Sequence, residues 1–275
     1  MSETRTARRG ALATAACVLA ACIWAAALPA EAQRGGGKQG GGGGGGGGGR
    51  AQFGQSLPAP GLSVTFAEGA ACAPIASPYG ASTRYDGSTR MSGGAEGLHG
   101  GIDLTLKEGT PLLAIAPGIV HATGEGGQLE GIFLWIAHLP EQTGMPFGFL
   151  AKYQHLSAPS ELAPGTRVAR GRVVALSGKT GTVGGHYGSA GYPHLHLTVR
   201  AIAADKLPLA ASGELRILRD TTLIDPLTVY VPGLQAPEEA ANLDPDRKRL
   251  TVGFVDATGA IRPAAATVTW PVACP

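Results

Sequence analysis

From Leu62 onward the apolar residues come in short runs broken by glycine and proline, and no stretch keeps the three-to-four-residue period of a long amphipathic helix. Leu62-Ser63-Val64-Thr65-Phe66 alternates as a half-buried strand does. Pro111 to Val120 sets Leu112, Leu113, Ile115, Ile119 and Val120 around a Pro117-Gly118 turn. Ile132 to Ile136 and Phe149 to Tyr153 read as buried strands, and Val173 to Leu176, Leu195 to Val199 and Leu215 to Leu218 complete the set. The predicted class is mainly β. Beyond Pro232-Gly233, a polar stretch to Arg249 leads into Leu250 to Val255, a turn at Asp256-Ala257-Thr258-Gly259, and Val268 to Val272, which together predict a hairpin-like terminal addition.

The first fifty residues have another character. Arg5, Arg8 and Arg9 precede an uncharged, alanine-rich run from Gly10 to Ala30, and Ala30-Glu31-Ala32 offers a small-residue cleavage site before Gln33, so residues 1–32 read as a signal peptide. Two other readings stand beside it: a retained membrane anchor, and lipidation of Cys22 in Leu19-Ala20-Ala21-Cys22. Gly35 to Gly49 is nearly all glycine and cannot build a core, so residues 33–61 read as a flexible, disordered linker. Cleavage after Ala32 takes three of 22 basic and two of 20 acidic residues, leaving a nearly neutral chain with nothing to suggest a nucleic-acid partner. It also removes Cys17 and Cys22, leaving Cys72 and Cys274 as an even pair in an exported chain; a disulfide between them is expected.

Three segments bring metal-competent side chains among the predicted strands. His194-Leu195-His196 puts two imidazoles on one face, since strand side chains alternate. His99-Gly100-Gly101-Ile102-Asp103 would share a helix face, but paired glycines cost a helix about 2 kcal/mol, so it reads as a tight loop entering a strand, folded so that both side chains reach one ion. Lys152-Tyr153-Gln154-His155-Leu156-Ser157 places a histidine at a strand end. Each alone is more often an ordinary loop or strand-end residue. His121 reads as a surface residue and His138 as structural.

The order His-x-x-x-Asp, then Tyr-x-His-Leu-Ser, then His-Leu-His resembles the LytM/lysostaphin family of zinc metallopeptidases that cut peptidoglycan cross-links. The resemblance spans about residues 72 to 232, with further matches at Lys107 to Leu112, Ala116 to Val120, Pro164 to Gly171 and Ser177-Gly178-Lys179-Thr180-Gly181. It implies a compact antiparallel β-sheet or barrel-like catalytic domain of the duplicated hybrid motif type over residues 62–233, with few short helices, and leaves 234–275 as a β extension tied back by the disulfide. It makes His99, Asp103 and His196 the zinc (Zn2+) ligands, His194 the general base, and His155 the neighbour that orients the water or stabilises the oxyanion. Peptidoglycan peptide is then the substrate, in the periplasm, cell envelope or extracellular space, with a membrane partner only if Cys22 is lipidated or the signal retained.

Two departures stand out: residues 182–192 are longer than the family's usual link, and Leu197-Thr198 replaces its usual Phe-Glu. The long loop reads equally as a groove wall or a mobile insertion. Two rival functions remain at this level, a catalytically silent regulator of other wall hydrolases and a Gly-Gly-preferring zinc peptidase acting on protein. The latter would find a substrate in the chain's own Gly40 to Gly49 tract.

Overall fold

The computed structural model describes residues 55–90, 97–127, 130–182, 192–202, 217 and 219–275. The expected signal peptide, the glycine tract, most of the 182–192 loop and most of Leu215 to Leu218 lie outside them. The strands are β1 (Gln55–Ser56), β2 (Ser63–Thr65), β3 (Ile75–Ser77), β4 (Ile102–Thr105), β5 (Pro111–Leu113), β6 (Gly118–Glu125), β7 (Ile132–His138), β8 (Gly148–Gln154), β9 (Arg167–Val168), β10 (Val173–Leu176), β11 (His194–Ile202), β12 (Thr221–Ile224), β13 (Arg249–Thr251), β14 (Phe254–Val255) and β15 (Ile261–Arg262). A short helix, α1 (Pro140–Thr143), a helical turn that includes Ile217, Arg219 and Asp220, and short 3-10 turns lie among the described residues, none of whose helices is long and apolar enough to cross a membrane.

Nine strands form the main sheet, in the order β1-β12-β11-β8-β7-β6-β9, with β3 and β4 joined to it through β11. The long strands pair antiparallel, whereas β1 runs parallel to β12, so the sheet is mixed. One edge of β11 pairs with β8 from His196 to Ile202. Its other edge is shared: β4 pairs with His194 to Leu197 and β12 with Val199 to Ile202. Period-two alternation sends Leu195, Leu197 and Val199, all fully buried, into the main core with Ile102, Leu104, Ile136 and Tyr153, and leaves His194, His196 and Thr198 on the opposite face. Each such aliphatic side chain contributes roughly 1.5–3 kcal/mol by leaving water, and so holds the register.

The far half of that opposite face is apolar too, where Phe133, Trp135, Ala137, Leu150 and Ile202 form a second cluster. Arg200, 2% exposed, lies between the polar and apolar halves of β11. It donates from Nε to Thr221 Oγ1 (2.6 Å) and from Nη2 to the Thr221 carbonyl (2.8 Å) and the Gln55 carbonyl (3.5 Å), linking three neighbouring strands.

Three elements differ from the sequence-based expectation. The sheet begins at Gln55, inside the stretch read as linker, where Leu57 N–H donates to the Leu223 carbonyl and Tyr79 Oη to the Leu57 carbonyl. The short β12 was not anticipated; its four residues include two threonines and carry little periodicity. The terminal hairpin forms between β14 and β15, with Phe254 opposite Arg262, while Val268 to Val272 runs back through the core without becoming a strand. That last segment carries the fully buried Trp270, whose Nε1–H donates to the Ala73 carbonyl, and Thr269 N–H donates to the Ile115 carbonyl. Cys72 and Cys274 form the expected disulfide, with Cα atoms 4.4 Å apart.

Candidate active site

The antiparallel register of β4 and β11 sets Asp103 directly opposite His196, and the register of β11 with β8 sets Gln154 against His196 on the other side. His99 enters from the loop before β4. Its N–H donates to the Ala81 carbonyl and its own carbonyl accepts from Gly80 N–H, which holds the loop beside the sheet. Gly101 permits the close approach: a Cβ there would run into the Leu197 carbonyl and lie 2.9 Å from His196 Nε2, whereas one at Gly100 would make ordinary contact with Leu223. His155 ends β8 with φ of 61°, a left-handed conformation outside glycine's usual monopoly, which turns the chain sharply where β8 ends. His194 opens β11, and its N–H donates to the Gly178 carbonyl.

All five expected residues meet. His99 Nε2 lies 3.0 Å from Asp103 Oδ1 and 3.0 Å from His196 Nδ1, and His196 Nδ1 lies 2.8 Å from Asp103 Oδ1. The His155 ring centre is 4.5 Å from that of His194 and 6.0 Å from that of His196, and His194 Nε2 is 3.8 Å from Asp103 Oδ1.

The outer ring nitrogens decide where the hydrogens sit. His99 Nδ1 donates to the Pro78 carbonyl (2.9 Å), His155 Nδ1 to the Thr180 carbonyl (2.7 Å) and His194 Nδ1 to the Tyr192 carbonyl (2.8 Å). A carbonyl can only accept, so a neutral ring in each of these places has its lone pair on Nε2. His196 Nε2 lies 3.0 Å from Thr198 Oγ1, a hydroxyl that can accept its hydrogen and so leave the lone pair on Nδ1.

Burial pushes His194 down and His155 well down, and brings His196 to about 4 against the opposing pull of Asp103; these three rings are neutral at neutral pH. Burial would raise Asp103, but the His99 charge and hydrogen bonds from His196 and His99 hold its carboxyl well below the usual range.

With His99 and His196 both neutral and their hydrogens turned outward, two ring nitrogens and a carboxylate oxygen about 3 Å apart would confront one another with lone pairs alone. Such a triangle is repulsive without a cation at its centre. Two imidazole nitrogens and one carboxylate oxygen are a donor set that suits zinc, and three protein ligands are what catalytic sites present. The Pro78 carbonyl behind His99 and the Thr198 hydroxyl behind His196 supply the outer-shell orientation that metal-binding histidines require.

Of the other residues that line the pocket, Tyr192 belongs to the loop read as a possible groove wall, whereas Arg84, Tyr85, Arg90 and Gln154 carried no sequence signal. Arg84, Tyr85 and Arg90, from the segment before His99, line it together with Gln154 and Tyr192. The Tyr85 and Tyr192 rings stack at 3.8 Å, and Tyr192 stacks on His194 at 4.8 Å. Arg90 Nη2 donates to Ser77 Oγ (2.8 Å) and to Asp103 Oδ2 (3.4 Å). In the sequence these residues sit in an ordinary polar turn, indistinguishable from a solvated loop. His138, by contrast, is where it was expected: fully buried, donating from Nδ1 to the Pro117 carbonyl and remote from the ligand triangle. His121 is buried, not at the surface, because it falls at a register shift between β6 and β7.

Residues 97–208 match the family model of Peptidase family M23. An uncharacterized metalloprotease of Haemophilus influenzae is 27% identical over 189 residues, which is 69% of this chain; the chain spans 31% of that relative's length. The catalytic domain of the antimicrobial peptidase lysostaphin from Staphylococcus simulans is similar over 49% of this chain and 80% of its own, at 24% identity and a TM-score of 0.34. A structure of LytU is similar over 64% of this chain and 94% of its own, at 24% identity and a TM-score of 0.36.

Proposed function

We propose that this chain, whose residues 97–208 match the family model of Peptidase family M23, is an exported zinc endopeptidase that hydrolyses the peptide cross-links of peptidoglycan. The observation that carries the reading is the close triangle of His99 Nε2, His196 Nδ1 and Asp103 Oδ1, 2.8 to 3.0 Å on each side, with His155 and His194 beside it. Those three residues would hold zinc, which supplies Lewis acidity: it polarises the scissile carbonyl and makes the attacking water more acidic.

The remaining work falls to the protein. His194, with its hydrogen committed to the Tyr192 carbonyl, offers the Nε2 lone pair to the water proton and then returns that proton to the departing amine. Its lowered proton affinity keeps it an acceptor at neutral pH. Of the two roles expected of His155, the tautomer supports the first. Its Nδ1–H is spent on the Thr180 carbonyl, so the neutral ring accepts a hydrogen bond and orients the water; it has no inward hydrogen to give an oxyanion. The peptide lies against the wall of Tyr85, Tyr192 and the two arginines.

The test is to purify the chain, measure its zinc by mass spectrometry, and analyse the muropeptides it releases from peptidoglycan. The wild type is expected to bind about one zinc and to cut cross-links. His194→Ala is expected to keep the metal and lose at least about 100-fold in rate. A protein without zinc, or full activity in His194→Ala, overturns the reading.

A further inference from the structure

Resting on that peptidase reading, we propose that Arg84 and Arg90 form a carboxylate-binding subsite, which directs the enzyme to peptides bearing a free carboxylate beside the scissile bond and away from neutral runs such as glycine. Both side chains line the same pocket as His155, His194 and His196, facing the reaction from a turn formed by residues 82–90.

That turn is built to hold them. Thr83 bridges Thr89, Arg84 N–H donates to the Ser88 carbonyl at 2.8 Å, Gly87 N–H donates back to the Arg84 carbonyl at 3.0 Å, and Arg90 N–H donates to the Ser82 carbonyl at 3.0 Å. The guanidiniums are then anchored by part of their donor set. Arg84 Nη1 donates to the Thr89 carbonyl (2.6 Å) and Ser88 Oγ (3.2 Å). Arg90 Nε donates to the Thr83 carbonyl (3.3 Å), and its Nη2 serves Ser77 and Asp103. Two planar cations fixed in this way have lost their side-chain freedom before a ligand arrives, which is the preorganisation that makes arginine a good reader of carboxylates.

Among the described residues, Asp103 is the one acidic residue lining the pocket, and its Oδ1 already faces His99 and His196. Asp86, the carboxylate of the turn itself, accepts from Ser88 N–H (3.0 Å) and Ser88 Oγ (2.7 Å). Among the described residues, the oxygens that Arg84 meets are neutral, and its Nε–H is withdrawn from solvent with no acceptor. Both guanidiniums line one pocket, and burial pulls that of Arg90 below its ordinary value, with like-charge repulsion from Arg84 adding to it and Asp103 opposing. A half-desolvated cationic pair that, among the described residues, shares the single carboxylate of Asp103 has donors left for a ligand carboxylate. A glycine run has only neutral amides to offer it.

The test uses the full-length, zinc-loaded enzyme and two sets of cross-linked muropeptides, identical except that the stem carboxylates are free in one and amidated in the other. Initial rates give kcat/KM for each, and titration calorimetry with His194→Ala gives binding without turnover. The free-carboxylate set is expected to win by about 10- to 100-fold in kcat/KM, the range of a charge-assisted hydrogen bond. In Arg84→Gln and Arg90→Gln that ratio falls towards one, and Arg84→Lys restores part of it. Equal kcat/KM and equal binding for the two sets in the wild type overturns the proposal and leaves the peptidase reading intact. Preferential, arginine-dependent binding of the free set without cleavage of either supports the subsite and overturns the peptidase reading. A wild-type preference that survives both glutamine variants places discrimination elsewhere and also overturns the proposal.

Discussion

At the residue scale the site depends on atoms that carry no chemistry of their own. Gly101 is the sharpest case, because an added methyl would meet the Leu197 carbonyl and His196 Nε2 at once. Gly101→Ala is therefore expected to cost roughly 1–3 kcal/mol in urea unfolding and to lower zinc occupancy, read by mass spectrometry of the dialysed protein; unchanged occupancy would show that His196 is positioned without it. Three backbone carbonyls, those of Pro78, Thr180 and Tyr192, set the histidine tautomers. The candidate side chains could be named from the sequence because His99, Asp103, His155, His194 and His196 stand in an order that resembles a known peptidase family, although each alone is an ordinary loop or strand-end residue. Their hydrogen positions were not, since they depend on which carbonyl the fold brings to each ring.

At the scale of elements, β11 joins the two halves of the site, taking Asp103 from β4 on one edge and leading to His155 at the end of β8 on the other. Directly beyond β12, the chain enters a 3-10 turn at Pro226–Tyr230 whose first N–H groups are capped by Asp225: Leu227 N–H donates to its Oδ1 at 2.9 Å. Burial raises the Asp225 carboxyl to about 6, against the lowering effects of that hydrogen bond and of His99. The sign follows from proton binding. Between about pH 4 and 6 the folded state holds a proton that the unfolded chain has released, so the contribution of Asp225 to stability is present at the acid end and is lost as pH rises through 6. The stability of wild type minus that of Asp225→Asn, from urea titrations at pH 5 and 7, is expected to be larger at pH 5, by on the order of 1–2 kcal/mol. A flat difference would mean that the carboxylate is adequately solvated in the fold.

The strands that were legible are those with strong apolar patterns. Val173–Leu176 occurs with its predicted bounds, and the patterns at Ile132 and Phe149 became β7 and β8 with extended ends. β1 and β12 carry too few apolar residues to show a period; pairing to a neighbour, which no local pattern encodes, made them strands.

Across the whole molecule, the two ends of the described chain are closed against each other. β2 runs beside β13 in parallel, Trp270 packs edge-on against Phe66 with ring centres 5.3 Å apart, and the disulfide links positions 202 residues apart in sequence. Such a long closed loop should contribute roughly 3–5 kcal/mol. Cys274→Ser is expected to lower the midpoint of thermal unfolding by several degrees and to make the melting curve insensitive to reductant; an unchanged midpoint would show that Trp270 and its neighbours hold the terminus unaided. The extension after residue 233 thus shares the main core, which a local hairpin pattern alone did not disclose.

By itself the sequence determined the mainly β class, the strong strands and the cysteine partnership, because alternation and residue chemistry are properties of the chain, and through a family resemblance its motif order marked five candidate site residues. Tertiary structure alone decided which ring nitrogen faces inward, that Gly101 must have no side chain, and that Arg84 and Arg90 stand opposite the histidines. Those features arise from through-space neighbours far apart in sequence, and a polar turn becomes half of a pocket only when the fold lays it there.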